Sequence, residues 1–179
     1  MAIAFLVSVS VQNAEAFSED LILDPMSCED FLGGTWNDDT KTCTVVDFVS
    51  SEDTKLAISA DNTLKIIGSF ENNGAIVNEE SGMITVNGWG QNNNGLLKNY
   101  GVIKNDGSFN CQRCGLINFN TVINTGVIEN DHRINNQDTF INKGMINNSG
   151  DILNKDTFIT CLGEVNGNQI RGNPNCDIC

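Results

Sequence analysis

The chain predicts an all-β fold: a parallel β-helix of hexapeptide-like strands, three per eighteen-residue coil, with short capping segments at both ends. Three observations carry this expectation. Seven asparagines fall at strict six-residue intervals, at Asn118, Asn124, Asn130, Asn136, Asn142, Asn148 and Asn154. Each follows an apolar residue by two positions: Leu116, Val122, Ile128, Ile134, Phe140, Ile146 and Ile152. Finally, Asp138-Thr139-Phe140-Ile141-Asn142 recurs eighteen residues later as Asp156-Thr157-Phe158-Ile159-Thr160, and Gly126 matches Gly144 over the same shift. A six-residue period is even, so it keeps the in–out alternation of a strand. It does not fit the 3.6-residue spacing of an amphipathic helix. A flatter coil of twelve residues is the competing geometry, but it would stack Phe140 on Ile152 and leave the eighteen-residue match unused.

Residues 1–16 read as a secretory signal peptide. An apolar run covers residues 2–11, and Ala14-Glu15-Ala16 is a small-x-small cleavage site. No lysine or arginine precedes the run, a departure from the usual pattern. The run is too short to span a bilayer, so the expected product is secreted and not membrane-embedded.

Residues 17–55 read as an acidic, disulfide-bonded N-terminal cap. They hold ten acidic residues against Lys41 and Lys55. Cys28 and Cys43 frame this unit, with Ser27 expected to cap a short helix through Leu32 and Gly33-Gly34 to end it. Asn37-Asp38-Asp39 then turns into a strand expected over residues 42–48. A bridge across this separation stabilises by about 3 kcal/mol through lost chain entropy.

Residues 56–160 read as the solenoid proper. Ile58, Leu64, Phe70 and Ile76 form one upstream hexad run; Leu97, Ile103 and Phe109 form another. Asn72, Asn78, Asn99 and Asn105 keep the apolar-plus-two position. Residues 79–94 read as an insertion, of the kind solenoids throw out as loops, and a one-residue slip falls near residues 111–114. Stacked amides can donate to and accept from the copies above and below, so the asparagines are expected to form a structural ladder. Such a ladder satisfies groups whose unpaired burial costs about 1–3 kcal/mol each.

Residues 161–179 read as a cysteine-rich C-terminal cap. Export makes disulfides the default for Cys28, Cys43, Cys111, Cys114, Cys161, Cys176 and Cys179. The odd count leaves one for an intermolecular bridge. Cys111-Gln-Arg-Cys114 and Cys176-Asp-Ile-Cys179 also carry the grammar of a four-cysteine zinc site. Their separation along a rod argues against that site, and no cofactor or metal is assigned.

The chain offers few groups for catalytic chemistry. His132, the one histidine, stands where other coils place glycine. Asp138 and Asp156 would stack one coil apart, a spacing two carboxylates could use on a glycosidic bond. Aspartate at a corner more often hydrogen-bonds its own backbone. Thr121, Thr139 and Thr157 also stack, but as one column, too narrow for an ice-binding face. Asn147-Asn148-Ser149 matches the N-glycosylation sequon, as an asparagine-rich repeat does by chance. The net charge of −13 argues against nucleic acid, whose phosphates need a basic footprint.

The chain resembles a loosely defined group of exported microbial repeat proteins, archaeal ones included. The resemblance rests on Cys28-Glu-Asp-Phe-Leu-Gly-Gly-Thr-Trp36 through Cys43, on the Gly-x-Ile-x-Asn repeats from Gly74 to Asn154, and on the closing Gly172-Asn-Pro-Asn-Cys-Asp-Ile-Cys179. It implies a β-solenoid surface protein and carries no activity with it. The expectation is therefore a non-enzymatic structural or adhesive protein of the cell surface or extracellular matrix. Its partners would be itself, end to end or disulfide-linked, or other extracellular components. A glycan-binding or polysaccharide-cleaving β-helix is the alternative.

Overall fold

The structure, a computed structural model, describes residues 19–92, 95–106, 115–160 and 162–173. Short strands, mostly of four residues, follow one another around three flanks, and every third strand returns to the same flank one coil further on. The first flank stacks Glu19–Ile22, Thr54–Ile58, Ala75–Asn78, Leu96–Asn99, Thr121–Asn124, Thr139–Asn142 and Thr157–Thr160. The second stacks Thr35–Asn37, Thr42–Val45, Thr63–Ile66, Met83–Val86, Val102–Asn105, Val127–Asn130, Met145–Asn148 and Glu164–Gly167. The third stacks Phe48–Val49, Ser69–Asn72, Trp89–Asn92, Gly115–Asn118, Arg133–Asn136, Asp151–Asn154 and Ile170–Gly172. All pairings among these strands are parallel except Thr35–Asn37 against Thr42–Val45. Seven layers at about 4.8 Å make a rod about 30 Å long.

The fold is thus a parallel β-solenoid with three strands per coil. Phe140 pairs with Phe158, and their rings stack with centroids 4.7 Å apart and planes 7° from parallel. This is the eighteen-residue stacking, and it rules out a coil of twelve. Leu116, Ile134, Ile152 and Ile170 repeat it on the third flank.

Most of the four-residue strands bury their second and fourth residues. The second supplies the apolar core, including Leu56, Leu64, Ile76, Val122 and Ile146. The fourth is usually asparagine, and it runs in ladders. Asn78 Nδ2 donates to Asn99 Oδ1, Asn99 to Asn124 and Asn124 to Asn142, each at 2.8 Å. Asn105, Asn130 and Asn148 form a second ladder at 2.6 and 2.7 Å. Asn118, Asn136 and Asn154 form a third at 2.7 and 2.8 Å. The same Nδ2 groups reach across the corner to backbone carbonyls: Asn136 donates to Asp138 O and Thr157 O at 2.7 and 2.9 Å. The amide therefore joins successive coils and also closes the turn between strands. Corners are tight enough that glycine is required at some of them. A Cβ on Gly126 would lie 2.1 Å from Gly101 O in the coil before it.

Several upstream expectations need correction. Residues 79–92 of the stretch expected as an insertion, 79–94, do not project from the solenoid. They contain Met83–Val86 and Trp89–Asn92, both paired within the solenoid. Val86 stands in the asparagine column opposite Asn105, and Gly90 stands in the apolar column opposite Phe70 and Leu116. These two exchanges hide the hexad from the sequence. Likewise Leu56, not Ile58, pairs with Ile76; Ile58 stands over Asn78 in the asparagine column. The strand expected over residues 42–48 bends at a corner between Val45 and Phe48. Leu97 pairs with Val122, twenty-five residues on, so extra chain sits between Asn105 and Gly115. Most of that extra chain, with the slip near residues 111–114 and Phe109, lies outside the described residues.

Solenoid pairing also reaches back before residue 56, since Glu19–Ile22 pairs with Thr54–Ile58. Between this strand and Thr35–Asn37 the chain makes one π-helical turn, Ser27–Phe31, with Leu32 N–H donating to Ser27 O at 2.9 Å. Ser27 does not cap this turn. Asp24 does, accepting from Ser27 N–H at 2.7 Å, while Ser27 Oγ donates to Ile22 O. Leu23, Cys28 and Leu32 are buried and join the core at this end. Cys28 is bridged to Cys43. A Cβ on Gly34 would fall 2.9 and 3.0 Å from the two bridging sulfurs, so the disulfide packs directly on that backbone.

Candidate interaction surface

A strand's first and third residues point outward, so each flank presents two columns of side chains about 4.8 Å apart along the rod. Their composition differs sharply between flanks. On the first flank, Asp20 in the opening strand pairs with Lys55 at 3.5 Å. From Thr54–Ile58 to Thr157–Thr160 its outward positions carry no carboxylate at all. One column continues through Leu96, Thr121, Thr139 and Thr157, and the other through Val77, Lys98, Ile123, Ile141 and Ile159. All of these are half-buried, because β-branched side chains in adjacent layers cover one another.

The other flanks are charged. On the second, Lys104 pairs with Glu129 at 3.4 Å. On the third, Asp151 is shared by Arg171, which binds it through two nitrogens, and by Arg133 at 3.8 Å. Hydrogen bonding and charge from Asp151 hold the Arg171 guanidinium more firmly protonated than usual. At a corner of the first coils, Asp47 Oδ1 accepts from Ser69 Oγ at 2.5 Å and from Ser69 N–H at 3.1 Å. Those two bonds hold its carboxyl below the ordinary carboxylate range.

The residues singled out from sequence fall as follows. Cys28 and Cys43 are brought together; Cys111, Cys114, Cys161, Cys176 and Cys179 lie outside the described residues. The seven periodic asparagines are all buried and laddered. His132 sits half-buried at a corner, and its carbonyl accepts from Asp151 N–H at 2.7 Å. Asp138 and Asp156 precede paired Thr139 and Thr157, and each accepts its own threonine's hydroxyl, at 2.9 and 3.1 Å. Asn120 accepts from Thr121 in the same way at 3.1 Å. Among the described residues no three His, Cys, Asp or Glu side chains are grouped to hold a metal ion. None of their helices is long and apolar enough to cross a membrane.

The carboxylate-free flank escaped the sequence reading. Its signal is present in Thr121-Val122-Ile123, Thr139-Phe140-Ile141 and Thr157-Phe158-Ile159, but only the register shows that Val77, Leu96 and Lys98 continue the same columns. The chain matches no protein-family model, no curated protein and no solved structure, so the functional reading rests on the molecule's own chemistry.

Proposed function

We propose that the protein is a secreted structural or adhesive component of the cell surface or extracellular matrix, one that contacts other copies of itself or neighbouring surfaces through its first flank. The observation that carries this reading is the run of first-flank strands from Thr54–Ile58 to Thr157–Thr160 with no outward carboxylate, on a chain of net charge −13. Like charge opposes close approach of acidic surfaces, and a flat array of threonine and β-branched side chains is the region that can be dehydrated at least cost. The turn Ser27–Phe31, anchored by buried Cys28 and flanked by buried Leu23 and Leu32, covers one end and favours contact through the flank over end-to-end stacking. The resemblance to exported Gly-x-Ile-x-Asn repeat proteins supports the location.

The test is an adhesion and co-sedimentation assay with protein recovered from the native surface. Ile123→Glu with Ile141→Glu should reduce bound protein at least tenfold with unchanged circular dichroism. Thr85→Glu, on the second flank, should leave it unaltered. Equal loss in both would remove the first flank from the function. A carbohydrate-active role is the competing reading, supported by Asp138 and Asp156 standing one coil apart. Binding or turnover on a polysaccharide panel, abolished by Asp138→Asn plus Asp156→Asn, would move the assignment there.

A further inference from the structure

We propose that Asn147 is a site of N-linked glycosylation. The proposal rests on the export reading above and adds a covalent partner to it. Asn147-Asn148-Ser149 is the one Asn-x-Ser/Thr triplet in the 179 residues. Sequence alone gives it little weight, because most asparagines here are committed to ladders. The structure separates the two asparagines of the triplet. Asn148 is 2% exposed, accepts from Asn130 and donates to Asn168 O at 2.8 Å. Asn147, its neighbour on an alternating strand, points outward from the second flank and is exposed. Its Oδ1 receives a long contact from Asn166 Nδ2 at 3.5 Å, and its own Nδ2 donates no hydrogen bond among the described residues. The nitrogen that would carry the sugar is therefore open to solvent.

The surroundings suit a saccharide. A shallow depression of about 390 Å³ lies beside Asn147, bordered by Glu129, Asp131, Ser149, Asn166 and Gly167. Carboxylate and amide oxygens there can accept from sugar hydroxyls. In the folded chain Ser149 Oγ is engaged by Asp131 Oδ1, and Met145–Asn148 is paired on both sides. Transfer must therefore precede closure of this coil, while the finished rod accommodates the product without rearrangement. In the reaction, Asn147 Nδ2 attacks the anomeric carbon of a lipid phosphate-linked saccharide. The N–C bond forms, the C–O bond to phosphate breaks, the lipid phosphate leaves, and the amide gives up one proton. A glycan there would also shield the second flank and leave the first open for contact.

The experiment is intact-mass and peptide-mapping analysis of the full chain from its native cells, fractionated into cytosol and surface without deglycosylation. The expected result is a mass excess confined to the peptide containing Asn147. Asn147→Gln and Ser149→Ala should each remove it completely, and Ser149→Thr should retain it; circular dichroism identifies any variant that fails to fold. Surface-fraction protein with unmodified Asn147 overturns this inference and leaves the export reading standing. Unmodified protein found in the cytosol overturns both.

Discussion

At the scale of single residues, an asparagine ladder has a direction. Within a ladder Nδ2 donates to the coil that follows, and Oδ1 of every rung after the first receives from the coil before. Asn124 thus holds three bonds: it accepts from Asn99 and donates to Asn142 Oδ1 and to Met145 O at 3.2 Å. Asn124→Ala strips partners from all three neighbours, and about 2–4 kcal/mol of stability should be lost in urea unfolding. Asn124→Asp is the more diagnostic change. The introduced carboxylate can still accept from Asn99 but has no proton for Asn142 Oδ1, and burial also disfavours its charged form. Its folded pKa is therefore raised. The bond that its neutral form can donate to Asn142 Oδ1 is present below the unfolded carboxyl pKa and is lost as pH rises through the folded one. The stability deficit relative to the native chain should be small near pH 4 and grow toward pH 7. A pH-independent deficit would contradict the ladder's polarity.

At the scale of the element, the ladders have beginnings. Asn78 follows Ile58 in its column, and Asn105 follows Val86. Correspondingly, Asn78 Oδ1 and Asn105 Oδ1 are buried with no hydrogen-bond partner among the described residues. On the first two flanks the upstream coils fill the same interior position with Leu23, Ile58, Val45, Ile66 and Val86, so the filling there changes from apolar to amide along the rod, whereas on the third flank buried Ser50 already donates to buried Asn72 Oδ1 at 3.0 Å. Val86→Asn should lengthen the second ladder by one rung. Its new N–H to Asn105 offsets the lost apolar burial, and the expected change in unfolding free energy, read by urea denaturation, is within about 1 kcal/mol of zero. Ile134→Asn, in the apolar column of a fully laddered coil, offers no such partner and should cost about 3 kcal/mol or more.

At the scale of the whole molecule, a solenoid is held by contacts between neighbouring coils, so its ends are its weak points. The turn Ser27–Phe31 and the Cys28–Cys43 bridge secure one end, where Asn62 Nδ2 also donates to Leu23 O at 2.7 Å. Cys28→Ala with Cys43→Ala should cost about 3 kcal/mol for the fifteen-residue separation. The loss should be local. Hydrogen exchange in Glu19–Ile22, Thr42–Val45 and Thr54–Ile58 should accelerate, while amides in Thr121–Asn124 and Thr139–Asn142 keep their protection. Uniform acceleration along the rod would mean that the coils unfold as one unit.

What the sequence by itself determined is the repeat wherever apolar residue, asparagine and glycine each kept their own column. From Leu116 to Thr160 the eighteen-residue match specified three strands per coil, the stacking of Phe140 on Phe158 and the ladder, because the even six-residue period keeps the core column on one face and the eighteen-residue recurrence selects three such strands per turn. The Cys28–Cys43 pair was legible for a similar reason, as a short self-contained frame. Only the tertiary structure decided the rest. Val86 and Ile58 break the local pattern yet sit in the asparagine column, because an interior position accepts an apolar side chain of suitable volume once the neighbouring coils hold the register, while backbone pairing alone places Gly90 in the apolar column. The first flank was equally hidden. Its columns join residues eighteen to twenty-five positions apart, and that spacing is set by how much chain each corner absorbs, which no single hexad encodes.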